Sequence, residues 1–246
     1  MALQASFEPV ANNTIYEDSP TYASGQSSNL FFGTIASGSS RRALLRFDVS
    51  SLPANAQLTS ATLTLTTDRA ARASDLTDQV SLHRVLASWG QGTSDAGSGG
   101  GGTQASAGDS TWNARFYNTP PATLSQAWSR PGGDFLAPAS TAQALGLTLG
   151  RVTLASTQAL VSDVQTWLGD ASQNHGWIIR LAEGSEYKAR RFYGRNAFAA
   201  EDRPILRVEY QLAPPVEVAP RQIPAVNIWA MIILALGILA IVRAKV

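Results

Sequence analysis

The sequence predicts an all-β protein: a jelly-roll-like β-sandwich with one short helix, followed by a C-terminal transmembrane helix. Three observations predict it. Short segments alternate apolar and polar residues with period two, as half-buried strands require. They are joined by turns, without the strand–helix alternation that builds a parallel sheet. The chain then closes on an uncharged apolar run, Ala225–Val242.

Taken in order, the clearest strands are Ala43–Val49 and Gln57–Thr66. In the second, Ala61, Leu63 and Leu65 point one way and Thr62, Thr64 and Thr66 the other. Leu52-Pro53-Ala54-Asn55 between them is turn chemistry. Val80–Leu86, Thr148–Leu154, Trp177–Leu181, Ala189–Tyr193 and Ile205–Gln211 complete the set. A helix is expected over Thr157–Leu168, where Leu160, Val164, Trp167 and Leu168 make one apolar stripe. Ser156 is placed to cap its start and Gly169 to close it. Residues 87–146 form a long irregular region rich in Gly, Pro, Ser and Trp, with a flexible run at Gly97–Gly102. The expected organisation is a sandwich over 1–212, a stiff Pro-rich linker over 213–224 and a helix with a basic end over 225–246.

Composition excludes several classes. There is no cysteine, which removes disulfide scaffolds, thiolate metal sites and cysteine nucleophiles. The net charge is +1, and Arg221, Arg243 and Lys245 of the tail supply the excess. The domain is thus near neutral and has no electrostatic footprint for nucleic acid. Charged residues make up 15% of the chain, below the usual quarter, which points to an extracellular β-protein.

The apolar run spans roughly 27 Å as a helix, enough to cross the hydrocarbon core of a bilayer. Trp229 lies near one end, and Arg243 and Lys245 follow the other, which predicts an outside N-terminus and an inside C-terminus. Ile223-Pro224 followed by Trp229, the apolar helix and the basic end resembles the IPTL-type C-terminal sorting signals. It departs from them at Ala225–Ile228 and at Ala230. The resemblance implies the envelope of a Gram-negative bacterium and a sorting or processing peptidase as partner. The domain would be anchored by the helix, or secreted once the tail is removed. The opening MALQASFEPV has neither a basic n-region nor an apolar h-region, so an export signal is expected to be missing from this start.

A second resemblance runs from about residue 7 to 211. Its carriers are Asn13-Thr14-Ile15-Tyr16-Glu17, Arg41–Asp48, Trp89-Gly90 with Gly92–Asp95, Gly108–Trp112 and Pro131–Phe135. Gly176-Trp177, Arg190-Arg191-Phe192 and Arg203-Pro204 close the series. Together these resemble the DNRLRE-domain proteins. Gln91 stands where relatives often carry an acid, and Gly194-Arg195-Asn196 replaces their Ser-Arg-Glu. The resemblance implies a secreted bacterial jelly-roll module of carbohydrate-binding-module type.

Sugar recognition uses flat aromatic faces and planar hydrogen-bonding groups. Trp89, Trp112, Tyr117 and Trp128 are the candidate stacking residues, all in the irregular region where function concentrates. Arg190 and Arg195 are the candidate carboxylate forks, suited to uronates. No cofactor is required. Calcium is a candidate occupant of loops carrying Asp95, Asp109 and Asp134. The leading expectation is a non-catalytic, envelope-associated module whose partner is polysaccharide. A structural or adhesive surface protein is the alternative, and a small polysaccharide lyase using His175 a third. Burial of Trp89, Trp112 and Trp128 would favour the structural protein, and an exposed aromatic row beside Arg190 or Arg195 the binding module. A cleft joining His175, a tyrosine and an arginine would favour the lyase.

Overall fold

The computed structural model describes residues 2–71, 78–118, 125–145, 149–183 and 187–214. The chain divides into two units, Met1–Ala213 and Pro214–Val246. The expected linker, the apolar run and the sorting residues Ile223, Pro224, Trp229, Arg243 and Lys245 lie outside the described residues. Among those described, no helix is long and apolar enough to cross a membrane.

The first unit is built on an eleven-stranded antiparallel sheet that folds back into two layers. Strands are numbered in chain order. One layer runs β1 (Leu3–Phe7), β15 (Ile205–Leu212), β6 (Ala56–Ala70), β14 (Arg190–Tyr193) and β4 (Asn29–Thr34), with β12 (Gly150–Leu154) also on β6. The other runs β5 (Ser40–Phe47), β13 (Trp177–Leu181), β7 (Gln79–Arg84) and β11 (Thr141–Ala144), with β2 (Pro9–Tyr16) also on β5. β4 joins the layers. Its residues Asn29–Phe32 pair with β14, and Gly33 and Thr34 pair with β5. At the corner Gly33 has φ +100°, and a Cβ there would lie 2.7 Å from the Lys188 carbonyl oxygen. Only glycine fits that bend.

The main core fills the space between the layers. Leu63, Leu65, Phe192, Leu206 and Val208 meet Leu45, Phe47, Trp177 and Ile179. The helix α1 (Gln158–Gly169) adds Leu160, Val161, Val164 and Trp167 to it. Trp167 packs on Trp177 with ring centroids 4.4 Å apart. Thr157, not Ser156, is the N-cap, and its hydroxyl accepts from the Leu160 N–H at 3.0 Å. Ser156 instead accepts the Ala61 N–H of β6 at 3.1 Å. Gly169 is still helical, and Asp170 closes the helix.

The second layer is covered on its outer face too. Ile15, Leu44 and Ile178 point away from the main core and pack under Trp89, Trp112 and Trp128. The irregular region thus forms a third, thin layer, carrying β9 (Ala114–Phe116) paired with β10 (Gln126–Ala127). The short β8 (Thr103–Gln104) pairs with β3 (Tyr22–Ala23). Two buried asparagines of β2 tie these loops down. The Asn13 amide donates to the Ser110 carbonyl at 2.7 Å, and its oxygen accepts the Ser24 N–H at 2.8 Å. The Asn12 amide donates to the Gly25 carbonyl at 2.7 Å, and its oxygen accepts the Arg195 N–H at 2.7 Å.

Candidate functional site

β14 lies between β6 and β4, and its register fixes what shares its outward face. Arg191 is opposite Phe31 on one side and Arg69 on the other. The alternate residue Phe192 points into the core. Three strands therefore present the row Phe31, Arg191, Arg69 on the outside of the sheet. A groove of about 400 Å³ opens over this row, bounded by Tyr187, Ala71 and the glycine run at Gly99–Gly101.

The glycine run, expected to be flexible, is docked in this structure. Its Ser98 carbonyl accepts from Arg191 at 3.2 Å, and its Gly100 carbonyl from Arg41 at 3.4 Å. At Gly102, where φ is +70°, a Cβ would lie 2.7 Å from the Tyr16 ring. The bare backbone is what lets the run cross that ring. Below it, Arg41 stacks over Tyr16 at 4.8 Å and pairs with Asp18 at 2.7 Å. Burial pushes the Tyr16 phenol up to about 12.

Charge in the groove is unevenly spent. Arg191 forks onto Asp68, through Nε at 2.9 Å and a terminal nitrogen at 2.5 Å. That hydrogen bonding holds its guanidinium above the ordinary arginine range. Arg190 reaches Asp78 at 3.1 Å, and Lys188 reaches the same carboxylate at 3.2 Å. Arg69 is exposed and makes no ion pair or hydrogen bond with a described residue. Arg69 thus stands apart from Arg41, Arg190 and Arg191, whose guanidinium groups face the carboxylates of Asp18, Asp78 and Asp68. An uncompensated fork beside two half-exposed rings, Phe31 and Tyr187, can take a planar anion and a sugar face together.

The sequence-predicted residues fall into different roles. Trp89, Trp112 and Trp128 are at most 7% exposed, and the expectation that they offer faces to a sugar is corrected by that burial. The indole N–H of Trp89 donates to the His175 carbonyl at 2.7 Å, and that of Trp128 to the Thr111 carbonyl at 2.9 Å. Arg42 stacks on Trp112 at 4.6 Å and forks onto Glu183, which pins the cover from below. Burial would raise the Glu183 carboxyl, but the hydrogen bonds and charges of Arg42 and Arg180 hold it below the ordinary range. Tyr117 is buried with Ala23, Ala105 and Ala114. Arg190 lies at the groove, engaged with Asp78, whereas Arg195 sits apart and donates to Gln91 at 3.2 Å. Phe31 and Arg69 were not among the expected residues. Their signal is long-range register, since β14 brings residues 31 and 69 together.

The three acids expected for calcium serve their own loops. Asp95 accepts the Gly97 N–H at 2.8 Å, and Asp134 accepts the Ser129 N–H at 2.9 Å. Buried Asp109 accepts the Ser106 N–H at 2.6 Å and the Ser94 hydroxyl. Among the described residues no three acidic or imidazole side chains gather as a metal cluster. His175 does not line the groove that holds Tyr187 and the arginines.

Residues 3–94 match the model of carbohydrate-binding module family 96. The match spans β1 to β7 and includes Phe31, Arg41 and Arg69 of the groove. It supports a carbohydrate-binding-module-like domain, a kind that binds polysaccharide without catalysis, in agreement with the expectation that the chain is not an enzyme. Among curated proteins, none matches the chain.

Proposed function

We propose that the protein is a non-catalytic, extracytoplasmic module that binds an acidic, uronate-containing polysaccharide in the groove between Phe31, Tyr187 and the glycine run. The observation that carries this reading is Arg69: an exposed guanidinium with no ion pair to a described residue, set beside aromatic faces in a groove already rich in arginine. A uronate carboxylate accepts a fork from Arg69, and the ring C–H face lies on Phe31 or Tyr187. The low charge content of the chain and the apolar run Ala225–Val242 support a place at the bacterial envelope.

Titration calorimetry of the full chain with polyuronates and with neutral glucans, with and without calcium, tests this. Saturable heat is expected with a polyuronate and none with the glucans. Arg69→Ala is expected to weaken binding by about tenfold to a hundredfold, the worth of a charge-assisted hydrogen bond. Equal binding of neutral glucans, or an Arg69→Ala protein that binds like wild type, would sink the reading. Rising double-bond absorbance during the titration would mean lyase turnover. The burial of Trp89, Trp112 and Trp128 favours a second reading, a structural or adhesive surface protein, and the absence of heat with every polymer would select it.

A further inference from the structure

The outward face of β6 does not end at the groove. A bulge in β6, where its pairing with β14 skips from Thr67 to Arg69, turns Arg69 onto the face of Thr62 and Thr64. Five residues before Arg69, roughly 15 Å along the strand, that face opens into a second hollow of about 290 Å³. Its floor is Thr62 and Thr64 of β6, Thr153 of β12 and Ile205 of β15; its rims are Arg151 and Arg207. The register fixes the arrangement. Thr64 is opposite Thr153 on one side and Ile205 on the other, Thr62 is opposite Arg207, and Arg151 is opposite Thr66.

Arg151 therefore stands over the stretch of β6 that separates the hollow from the groove. Neither rim arginine is in an ion pair with a described residue. Arg151 donates one terminal nitrogen to the Glu201 backbone carbonyl at 2.9 Å and leaves the rest of its fork open. The acid on β15, Glu209, accepts from Gln4 at 3.0 Å. Alongside β6 the molecule thus sets out Arg207 of β15, Arg151 of β12 and Arg69 of β6 itself, with the hydroxyls of Thr62, Thr64 and Thr153 at one end and aromatic rings at the other. Between them Thr66 is covered and Asp68 is taken up by Arg191.

We infer that this face is a continuous track, on which a single acidic polysaccharide chain lies along β6 from the Arg207 hollow to the Arg69 groove. The inference rests on the groove being the primary site. Two separated cationic patches along one strand, with Arg151 set over covered Thr66 and Asp68 neutralised by Arg191 between them, fit a repeating anion better than a short ligand. A chain long enough to reach both engages the second patch at a high effective concentration. The module would then grip the interior of a polymer and have no need of a chain end.

The test compares a diuronate with an octauronate on the full chain by calorimetry. Wild type is expected to bind the octamer at least about tenfold more tightly than the dimer. The double variant Arg151→Ala/Arg207→Ala is expected to bind the octamer no more tightly than wild type binds the dimer. Arg207→Glu, a single reversal at an exposed position, should weaken octamer binding further than Arg207→Ala does. A thermal melt of each variant that matches wild type establishes that the fold is kept. Dimer binding with no gain on lengthening, or a double variant that keeps the full gain, overturns the track and leaves the groove standing. Absence of binding by either oligomer overturns both.

Discussion

Asp109 shows how a single carboxylate can organise a loop. It is fully buried between residues of the irregular region, and its oxygens receive the Ser94 hydroxyl, the Ser94 N–H at 3.4 Å and the Ser106 N–H at 2.6 Å. A buried acceptor that collects donors from two turns is worth more than either bond alone, because its loss leaves those donors dry. Asp109→Ala is expected to cost about 3 kcal/mol of unfolding free energy, read as a lower urea midpoint with an unchanged slope. A loss under about 0.5 kcal/mol would mean that the loop re-pairs its donors elsewhere. The same logic separates Arg69 from its neighbours. Arg41, Arg190 and Arg191 already have carboxylate partners, so only Arg69 enters a ligand contact without first breaking one. That is why the binding prediction is placed on Arg69.

At the scale of elements, one buried acid adds a polar tether between α1 and the sheet. Asp163 accepts the Trp177 indole N–H at 2.8 Å and the Ser140 hydroxyl, and lies 3.6 Å from Arg84. Asp163→Ala is expected to destabilise the domain by about 3 kcal/mol and to weaken the near-ultraviolet signal of the Trp167–Trp177 pair. An unchanged spectrum would show that the two rings pack without this tether. The helix itself was legible, since its apolar stripe faces a single core; both of its caps lie one residue further along than expected. β6, β12 and β15 were legible for the same reason, with one face buried and the other wet. β2 was not. Both of its faces are covered, and buried Asn12, Asn13 and Thr14 read as loop residues until the loops they bind are known. β4 is short and changes partner at Gly33, so neither half shows a pattern. The tryptophans were misplaced because a loop's composition does not say what it returns to cover. The signal lay in the strands. Trp177-Ile178-Ile179 and Ala43-Leu44-Leu45 are apolar on both faces, which demands a lid over the outer one. The groove needed three strands in register, and of its outward row only Arg191 lay in a segment the pattern had marked.

For the whole molecule, near-neutral charge hides a sharp internal division between ion pairs buried under the cover and bare arginines on the β6 face. The two histidines lie on the side of the cover, next to its arginines. His83 has its Nδ1 at 2.9 Å from the Leu136 carbonyl and its Nε2 at 3.0 Å from the Ser81 hydroxyl, with its ring edge-on to Phe135. Burial, and then the charges of Arg180 and Arg42, hold it below the ordinary imidazole value despite hydrogen bonds that favour its charged form. His175 is lowered likewise, by burial and then by Arg46 and Arg115. The sign follows from proton counts. Below about pH 6.5 the unfolded chain takes up protons that the folded chain refuses, so stability is fully present above that pH and declines as the pH falls toward the folded values. Asp48, Asp170 and Glu183 are shifted down from the carboxylate range and lose their contribution only in more acid solution. Between about pH 7.5 and 5.5 the imidazoles therefore set the slope. Urea unfolding at both ends of that window is expected to give a lower free energy at the acid end. The double variant His83→Asn/His175→Asn, whose amide at position 83 can still donate to the Leu136 carbonyl, is expected to flatten the difference. Equal stability at the two pH values, or greater stability in acid, would mean that neither ring is kept neutral by the fold.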